Sequence, residues 1–164
     1  MNGWVLERKV AATIFLCLLG LGALAGAANV MLTVGASPAD IEKRYSAPTA
    51  EAQADPLALL DDPPVTLEKL AHVIHAHLIP YALIFGVLSF FLLQLPYNDA
   101  IKVGVLLIFA GSIVGDFISM LATRFIHPIF HLGIALSGFV FISTIGGIIV
   151  LSLYELWFAR RGKI

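Results

Sequence analysis

The sequence contains little charge and almost no cysteine. Only 13% of its 164 residues are charged, against about a quarter in a soluble domain. A formal net charge of −1 argues against nucleic acid as a partner. The single cysteine, Cys17, excludes an intrachain disulfide, a C-x-x-C-H haem attachment and a cysteine-based zinc site. The chain also has no internal repeat and no glycine-rich phosphate loop.

The sequence is rich in long hydrophobic runs, and 59% of its residues are hydrophobic. Four runs exceed the ~20 residues that a helix needs to cross the hydrocarbon. An open sheet would leave backbone groups unsatisfied in lipid. The sequence therefore predicts an all-α integral membrane four-helix bundle, with residues 1–164 forming one transmembrane domain. The predicted spans are 10–34, 70–95, 101–123 and 125–158, with an outer loop over 35–69.

The basic residues predict how the chain is oriented. Arg8 and Lys9 precede the first run, and Arg160 and Arg161 follow the last. By the positive-inside rule both termini are cytoplasmic, as an even number of spans requires. We therefore expect a multi-pass protein of the bacterial inner membrane, surrounded by lipid, with the acidic loop 35–69 outside. The first run also fits a cleaved signal peptide, but we interpret it as a retained anchor.

Two polar residues mark expected helix starts outside the long runs. Ser37 followed by Pro38 predicts the N-cap and first residue of a short helix that ends near Tyr45. Thr66 predicts the start of the second transmembrane helix.

Five histidines form two short groups at similar predicted depth. His72, His75 and His77 fall near the start of the second span, and His127 and His131 near the start of the fourth. Both spans enter the membrane from outside in the predicted topology. Ionisable groups at such depths usually mark function, and imidazole is a common ligand for haem iron, copper and zinc.

Helical geometry limits how many of these histidines can converge. Residues three or four apart share a face, so His127 and His131 project similarly if the fourth helix already includes His127. His75 and His77 are two apart and diverge by about 200°. The alternative is that the histidines are interfacial residues that cap helix starts and contact water. That alternative is strongest for His127 and His72, because the other three are flanked by large apolar residues.

Two ligand chemistries fit histidines between facing helices. Bis-histidine haem needs one imidazole from each of two helices, small residues beside the macrocycle and apolar walls. A copper or zinc site needs three or four close ligands. Arg124 lies at the outer rim, where haem propionates would project. The small residues available to a macrocycle are Gly86, Gly111, Gly115, Gly133, Ala135 and Gly138. The candidate copper or zinc ligands are His72, His75, His127 and His131, with Glu68 or Asp116.

Asp116 is the one acidic residue well inside a span. It is either a hydrogen-bonded structural carboxyl or a functional group that faces the bundle interior. In the functional alternative it accepts the free N–H of a ligand imidazole, which fixes the tautomer of that ring.

One short signature resembles a known group of proteins. The run His75-Ala76-His77-Leu78-Ile79-Pro80 resembles the His-x-His-Leu-x-x-Pro signature of small four-helix bacterial membrane proteins. Further similar elements are Gly35-Ala36-Ser37-Pro38 and Leu153-Tyr154-Glu155-Leu156-Trp157-Phe158. These proteins are similar in plan to small b-type membrane cytochromes. The resemblance implies haem b and electron transfer, but it does not identify the iron ligands.

We therefore expect a transmembrane b-type cytochrome, an electron carrier rather than an enzyme, with haem b near the periplasmic side. His77 and His131 are the preferred ligands, and His75 is an alternative. His72 and His127 would help to bind propionates or a second cofactor. The redox partner would be a periplasmic protein or a quinone. Two other functions stay open, namely a copper- or zinc-binding membrane protein and a cofactor-free accessory subunit.

The oligomeric state also stays open. Gly22 and Gly26 have the spacing that allows two transmembrane helices to approach closely. The first span could therefore pair two copies of the chain into a homodimer.

Overall fold

Five α-helices form the part of the chain that the computed structural model describes, residues 4–35, 37–47 and 65–159. They are α1 (Leu6–Thr33), α2 (Pro38–Tyr45), α3 (Leu67–Leu93), α4 (Asp99–Phe125) and α5 (His131–Trp157). A 3-10 turn, Pro128–Phe130, joins α4 to α5. These residues contain no strand, so the predicted all-α class is confirmed.

Four of these helices are long and apolar enough to cross a membrane, namely α1, α3, α4 and α5 with its preceding 3-10 turn. Many of their large apolar side chains point outward. Leu32 is 87% exposed and Phe139 is 72% exposed. Exposed apolar surface on this scale is costly in water but expected beside lipid. The protein is therefore a multi-pass membrane protein, as predicted.

The short helix α2 begins with a capping box. The Ser37 hydroxyl accepts a hydrogen bond from the Asp40 amide, and the Asp40 carboxylate accepts from the Ser37 amide at 3.1 Å. These bonds hold the pKa of Asp40 below its usual value. Gly35 precedes the box at a φ of 109°, and a Cβ there would collide with the Asp40 side chain. The predicted N-cap at Ser37 is thus confirmed, and the turn before it requires glycine.

The start of α3 also agrees with its sequence signal. The Thr66 hydroxyl accepts from the Lys69 amide at 3.2 Å and caps the helix. The Val65 amide donates to the Arg44 carbonyl at 3.0 Å, which ties this start to the end of α2. Because α3 begins at Leu67, three residues before the predicted span, its histidines lie in the second and third turns of the helix.

The start of the last span differs from the prediction. α4 continues to Phe125, His127 is extended at φ −160° and ψ 138°, and α5 begins only at His131. The cause is Pro128, because a residue before proline is disfavoured in the α region. The condition for His127 and His131 to share a helix face is therefore not met.

Small residues bring α4 and α5 close together. A Cβ on Gly115 would lie 3.0 Å from the Ser137 hydroxyl, and one on Gly133 would collide with the Ser119 side chain. Two of the small positions predicted to face a macrocycle are thus used for helix packing. Gly111, another of those positions, has open space where its Cβ would be.

At the end of the bundle where α1 begins and α5 ends, these two helices are joined by a hydrogen bond. The Trp157 indole donates to the Thr13 hydroxyl at 2.9 Å, and the Lys9 ammonium lies 5.8 Å from the centre of the Trp157 ring. Glu155, two residues earlier on α5, is only 4% exposed. The sequence placed Glu155 merely at the end of the last run, with no signal that it would be buried.

The opposite end of the bundle is covered by α2. It is the end that the sequence predicts to face outward. Ile41 and Tyr45 of α2 pack against a small core cluster that includes Leu70 of α3, Met120 of α4 and Ile134 of α5. The first residues of α3 and α5 therefore lie at the same end of the bundle. This agrees with the prediction that both histidine groups occupy similar depth.

Candidate functional site at the end of the bundle covered by the second helix

His131 is the buried histidine of the described residues, with 8% exposure. Its Nδ1 lies 2.8 Å from the Pro128 carbonyl and 3.6 Å from the Glu42 carboxylate. Both neighbours accept hydrogen bonds, so the proton of the neutral ring belongs on Nδ1. The lone pair is then on Nε2, which is the nitrogen that a metal ion or haem iron would bind.

His77 has the same hydrogen-bonding pattern on α3. Its Nδ1 lies 2.7 Å from the Val73 carbonyl, one turn earlier in the helix. A carbonyl cannot donate, so Nδ1 carries the proton and Nε2 is left as a ligand atom. The ring is exposed, and it meets Tyr81 edge-on with 5.6 Å between ring centres.

His127 has the opposite pattern. Its Nδ1 accepts a hydrogen bond from the Ile129 amide at 3.1 Å and caps the 3-10 turn. The proton of the neutral ring is then on Nε2, so neither nitrogen is a ready ligand. This is the interfacial, helix-capping role that the sequence left as the alternative for His127.

His75 points away from His77, as their spacing predicts. It lines an open apolar groove of about 350 Å³ between α3 and α4, together with Ile74, Leu78 and Leu121. His72 is exposed on the same helix. The two histidines of the signature therefore face different surroundings.

Arg124 stabilises the docked position of α2. Its guanidinium donates to the Ser46 carbonyl at 2.8 Å, just beyond the end of α2. This contact gives Arg124 a structural role at the same rim where a propionate partner was predicted.

Asp116 faces the interior of the bundle and is half-buried. It lines a cavity of about 20 Å³ with Tyr81 of α3, Ser112 of α4 and Ser137 of α5. The carboxyl interacts electrostatically with His77 and Tyr81. The Nδ1 of His77 bonds the Val73 carbonyl and not Asp116, so the interaction between Asp116 and that ring is electrostatic.

Tyr45 brings a further hydroxyl to this region from α2. Burial, and then the Asp116 carboxyl, raise the pKa of Tyr45. The phenol therefore keeps its proton and remains a hydrogen-bond donor. Asp116 is thus influenced by groups of both α2 and α3.

The predicted copper or zinc ligands do not converge. Across residues 4–35, 37–47 and 65–159, the structure brings together no group of three or more His, Cys, Asp or Glu that could hold a metal ion. A bis-histidine haem needs only two imidazoles, so this finding bears on the copper or zinc alternative alone.

Two residues of the site, Glu42 and Tyr81, were not predicted from the sequence. Glu42, beside His131, belongs to a helix that is distant in sequence, and no local pattern predicts that contact. Tyr81 is different, because it follows His77 by four residues and so shares its helix face. Periodicity would have predicted the pairing of Tyr81 with His77.

The fold and the site define an all-α, multi-pass membrane protein with histidines and a carboxyl at one end of its bundle. The chain belongs to a family of transmembrane helical domains, and the family match covers residues 35–163. The match begins just after α1 and includes the histidines and Asp116. No curated protein and no solved structure matches the chain.

Proposed function

We propose that this protein is a transmembrane b-type cytochrome that carries electrons, with His77 and His131 as the axial ligands of one haem b. One observation gives the proposal its main support. Each of these rings has its Nδ1 on a backbone carbonyl, at 2.7 Å for His77 and 2.8 Å for His131. Ligand histidines usually donate their other N–H in this way, because the bond fixes both tautomer and ring orientation.

The imidazole side chains of His77 and His131 are suitable ligands for haem iron. Two neutral imidazoles come from two helices that begin at the same end of the bundle, which is the usual ligand source in helix bundles. Deeper in the bundle, the rings of Tyr81, Phe141 and Phe109 fill the interior, with successive centres 4.7 and 5.6 Å apart. The haem therefore belongs at the outer end, above this aromatic layer.

The protein's own groups would set the ligand properties. When bound, haem supplies a one-electron redox couple. The Val73 and Pro128 carbonyls hold the two imidazoles in orientation, and the Glu42 carboxylate lies near His131. Both features increase electron density on the ligands and favour ferric iron. Electrons would pass between this site and a periplasmic protein or a quinone.

An absorption spectrum of the purified full chain tests the proposal. We expect a sharp Soret band, and α and β bands on reduction, after expression with sufficient haem supply. A colourless protein that contains copper or zinc by elemental analysis would establish the metal-binding alternative instead. A protein with neither signal would be assigned as an accessory subunit, and the cytochrome proposal would be rejected.

The orientation in the inner membrane is a separate part of the proposal. Both termini are cytoplasmic and the histidines face the periplasm, because basic residues flank the first and last spans. In a Cys17→Ala background, Ala39→Cys on the exposed surface of α2 should react with an impermeant maleimide added to intact cells, and Gly162→Cys should not. Gly162 lies outside the described residues, but its side of the membrane can still be measured. Periplasmic labelling of position 162 alone would invert the orientation.

A further inference from the structure

The imidazole of His75 lies inside the second span without a hydrogen-bond partner in the described part of the chain. It is exposed, and it comes eight residues after the first residue of α3, about 12 Å along the helix axis. The rings of His77, His127 and His131 each bond a backbone group instead. An N–H group that meets only hydrocarbon is costly, so the His75 ring needs a partner from outside the chain.

The surroundings of His75 form an open groove of about 350 Å³ between α3 and α4. This volume lies at the small end of the range of ligand pockets, about 300–1,000 Å³. Among the described residues that line the groove, His75 has the one polar side chain. The groove therefore fits an apolar molecule that presents a hydrogen-bonding group to His75. The other lining residues are Leu67, Leu70, Ala71, Ile74, Leu78 and Leu121.

The lining also limits the head group of the occupant. A phospholipid phosphate is usually held by lysine or arginine, and neither is among the described lining residues. A neutral imidazole instead presents one N–H donor and one nitrogen lone pair. It can donate to the carbonyl of a quinone, and it can accept from the hydroxyl of the reduced quinol. One ring therefore meets both redox forms of the same lipid-soluble ligand.

We propose that this groove binds the head group of a membrane quinone, with His75 as its hydrogen-bonding residue. The identity of the ligand rests on the proposed electron-carrier function, because a haem in the membrane needs a redox partner that can reach it there. His75 and His77 are two residues apart on α3 and diverge by about 200°. The quinone and the haem would therefore lie on different sides of one helix, and His75 is not an iron ligand.

Calorimetric titration of the purified full chain in lipid nanodiscs tests this site. The probe is a benzoquinone with a decyl tail, and decanol is the comparison because it has the same tail without the ring. We expect saturable binding of one quinone per chain and no saturable binding of decanol. Equal affinity for the two molecules would show that the groove binds alkyl chains only, and the proposal would be overturned. An absence of saturable quinone binding would overturn it as well.

Matched variants locate the binding. His75→Leu removes the hydrogen bond and should weaken quinone binding roughly tenfold, whereas His75→Gln keeps an N–H donor and should bind nearly as tightly as the unmodified chain. Leu121→Trp fills the groove from α4 and should abolish binding. Leu83→Trp is its control, since Leu83 is exposed on α3 outside the groove. Unchanged affinity in a folded His75→Leu or Leu121→Trp variant would contradict the assignment of the site.

The haem spectrum of the same samples separates this inference from the proposed function. A low-spin spectrum without quinone binding would reject the groove site and leave the cytochrome proposal in place. Saturable, His75-dependent quinone binding by a protein without haem would support the site and reject the cytochrome proposal. Loss of the low-spin spectrum in His75→Leu would assign this imidazole to the iron, and the quinone site would be rejected.

Discussion

Replacing either His77 or His131 with alanine is expected to abolish the low-spin haem spectrum. Each substitution removes one of two axial ligands, and a haem with one imidazole is high-spin or dissociates. The expected loss is essentially complete for both variants. The measurement is the absorption spectrum of purified protein, oxidised and reduced, at matched protein concentration.

His127→Ala is the matched control for these variants. Its Nδ1 accepts from the Ile129 amide, so the ring is not prepared as a ligand and the low-spin spectrum should persist with a modest shift. His75→Ala tests the alternative ligand of the signature. If His75→Ala loses the spectrum and His77→Ala keeps it, the ligand on α3 is His75. A wild-type spectrum in both His77→Ala and His131→Ala would exclude this pair of ligands.

A ligand role can be separated from a structural one by chemical rescue. His77 is exposed, so a His77→Gly variant leaves space that small molecules can reach. Added imidazole should restore the low-spin spectrum of that variant if the ring binds iron. Failure of imidazole, in a variant that still binds haem and is well folded, would argue that His77 does not bind the iron.

The spans and the helix starts could be predicted because their causes are local. Hydrocarbon thickness sets a minimum length of apolar sequence, and the four spans follow from it. Ser37 and Thr66 cap α2 and α3 through bonds to amides only three residues away. A single sequence contains all the information that such contacts need.

The start of α5 was predicted too early because the hydropathy pattern continues through Pro128. Residues around His127 are apolar enough to extend the span, yet His127 is extended because proline follows it. This break in the helix changes the positions of two candidate site residues. The break allows His127 to cap the 3-10 turn, while His131 becomes the first residue of α5 and bonds the Pro128 carbonyl.

The docking of α2 could not be predicted, because its contacts join distant parts of the chain. Arg124 and Ser46 are 78 residues apart, and Glu42 reaches His131 across a similar separation. The role of the glycines could not be predicted from the sequence either. Gly115 and Gly133 are equally compatible with a macrocycle and with close helix packing, and only the positions of Ser137 and Ser119 show that they serve packing.

Asp116→Asn is expected to raise the midpoint potential of the haem. The carboxyl interacts electrostatically with His77, and a negative charge near the ligand stabilises ferric iron. We expect a rise of about 59 mV, which corresponds to a tenfold shift of the one-electron equilibrium towards ferrous haem.

The measurement is a redox titration of the purified protein at constant pH and ionic strength. Ser137→Ala is the control, because it changes the same cavity without removing a charge, and its potential should stay close to that of the unmodified protein. The sign of the change in midpoint potential is informative because asparagine keeps the shape of the side chain and removes only the ionisable group. An unchanged potential in Asp116→Asn together with a lower protein yield would make Asp116 a structural residue. Since Asp116 shares its cavity with residues of α3, α4 and α5, its contribution would then be to the packing of these helices alone.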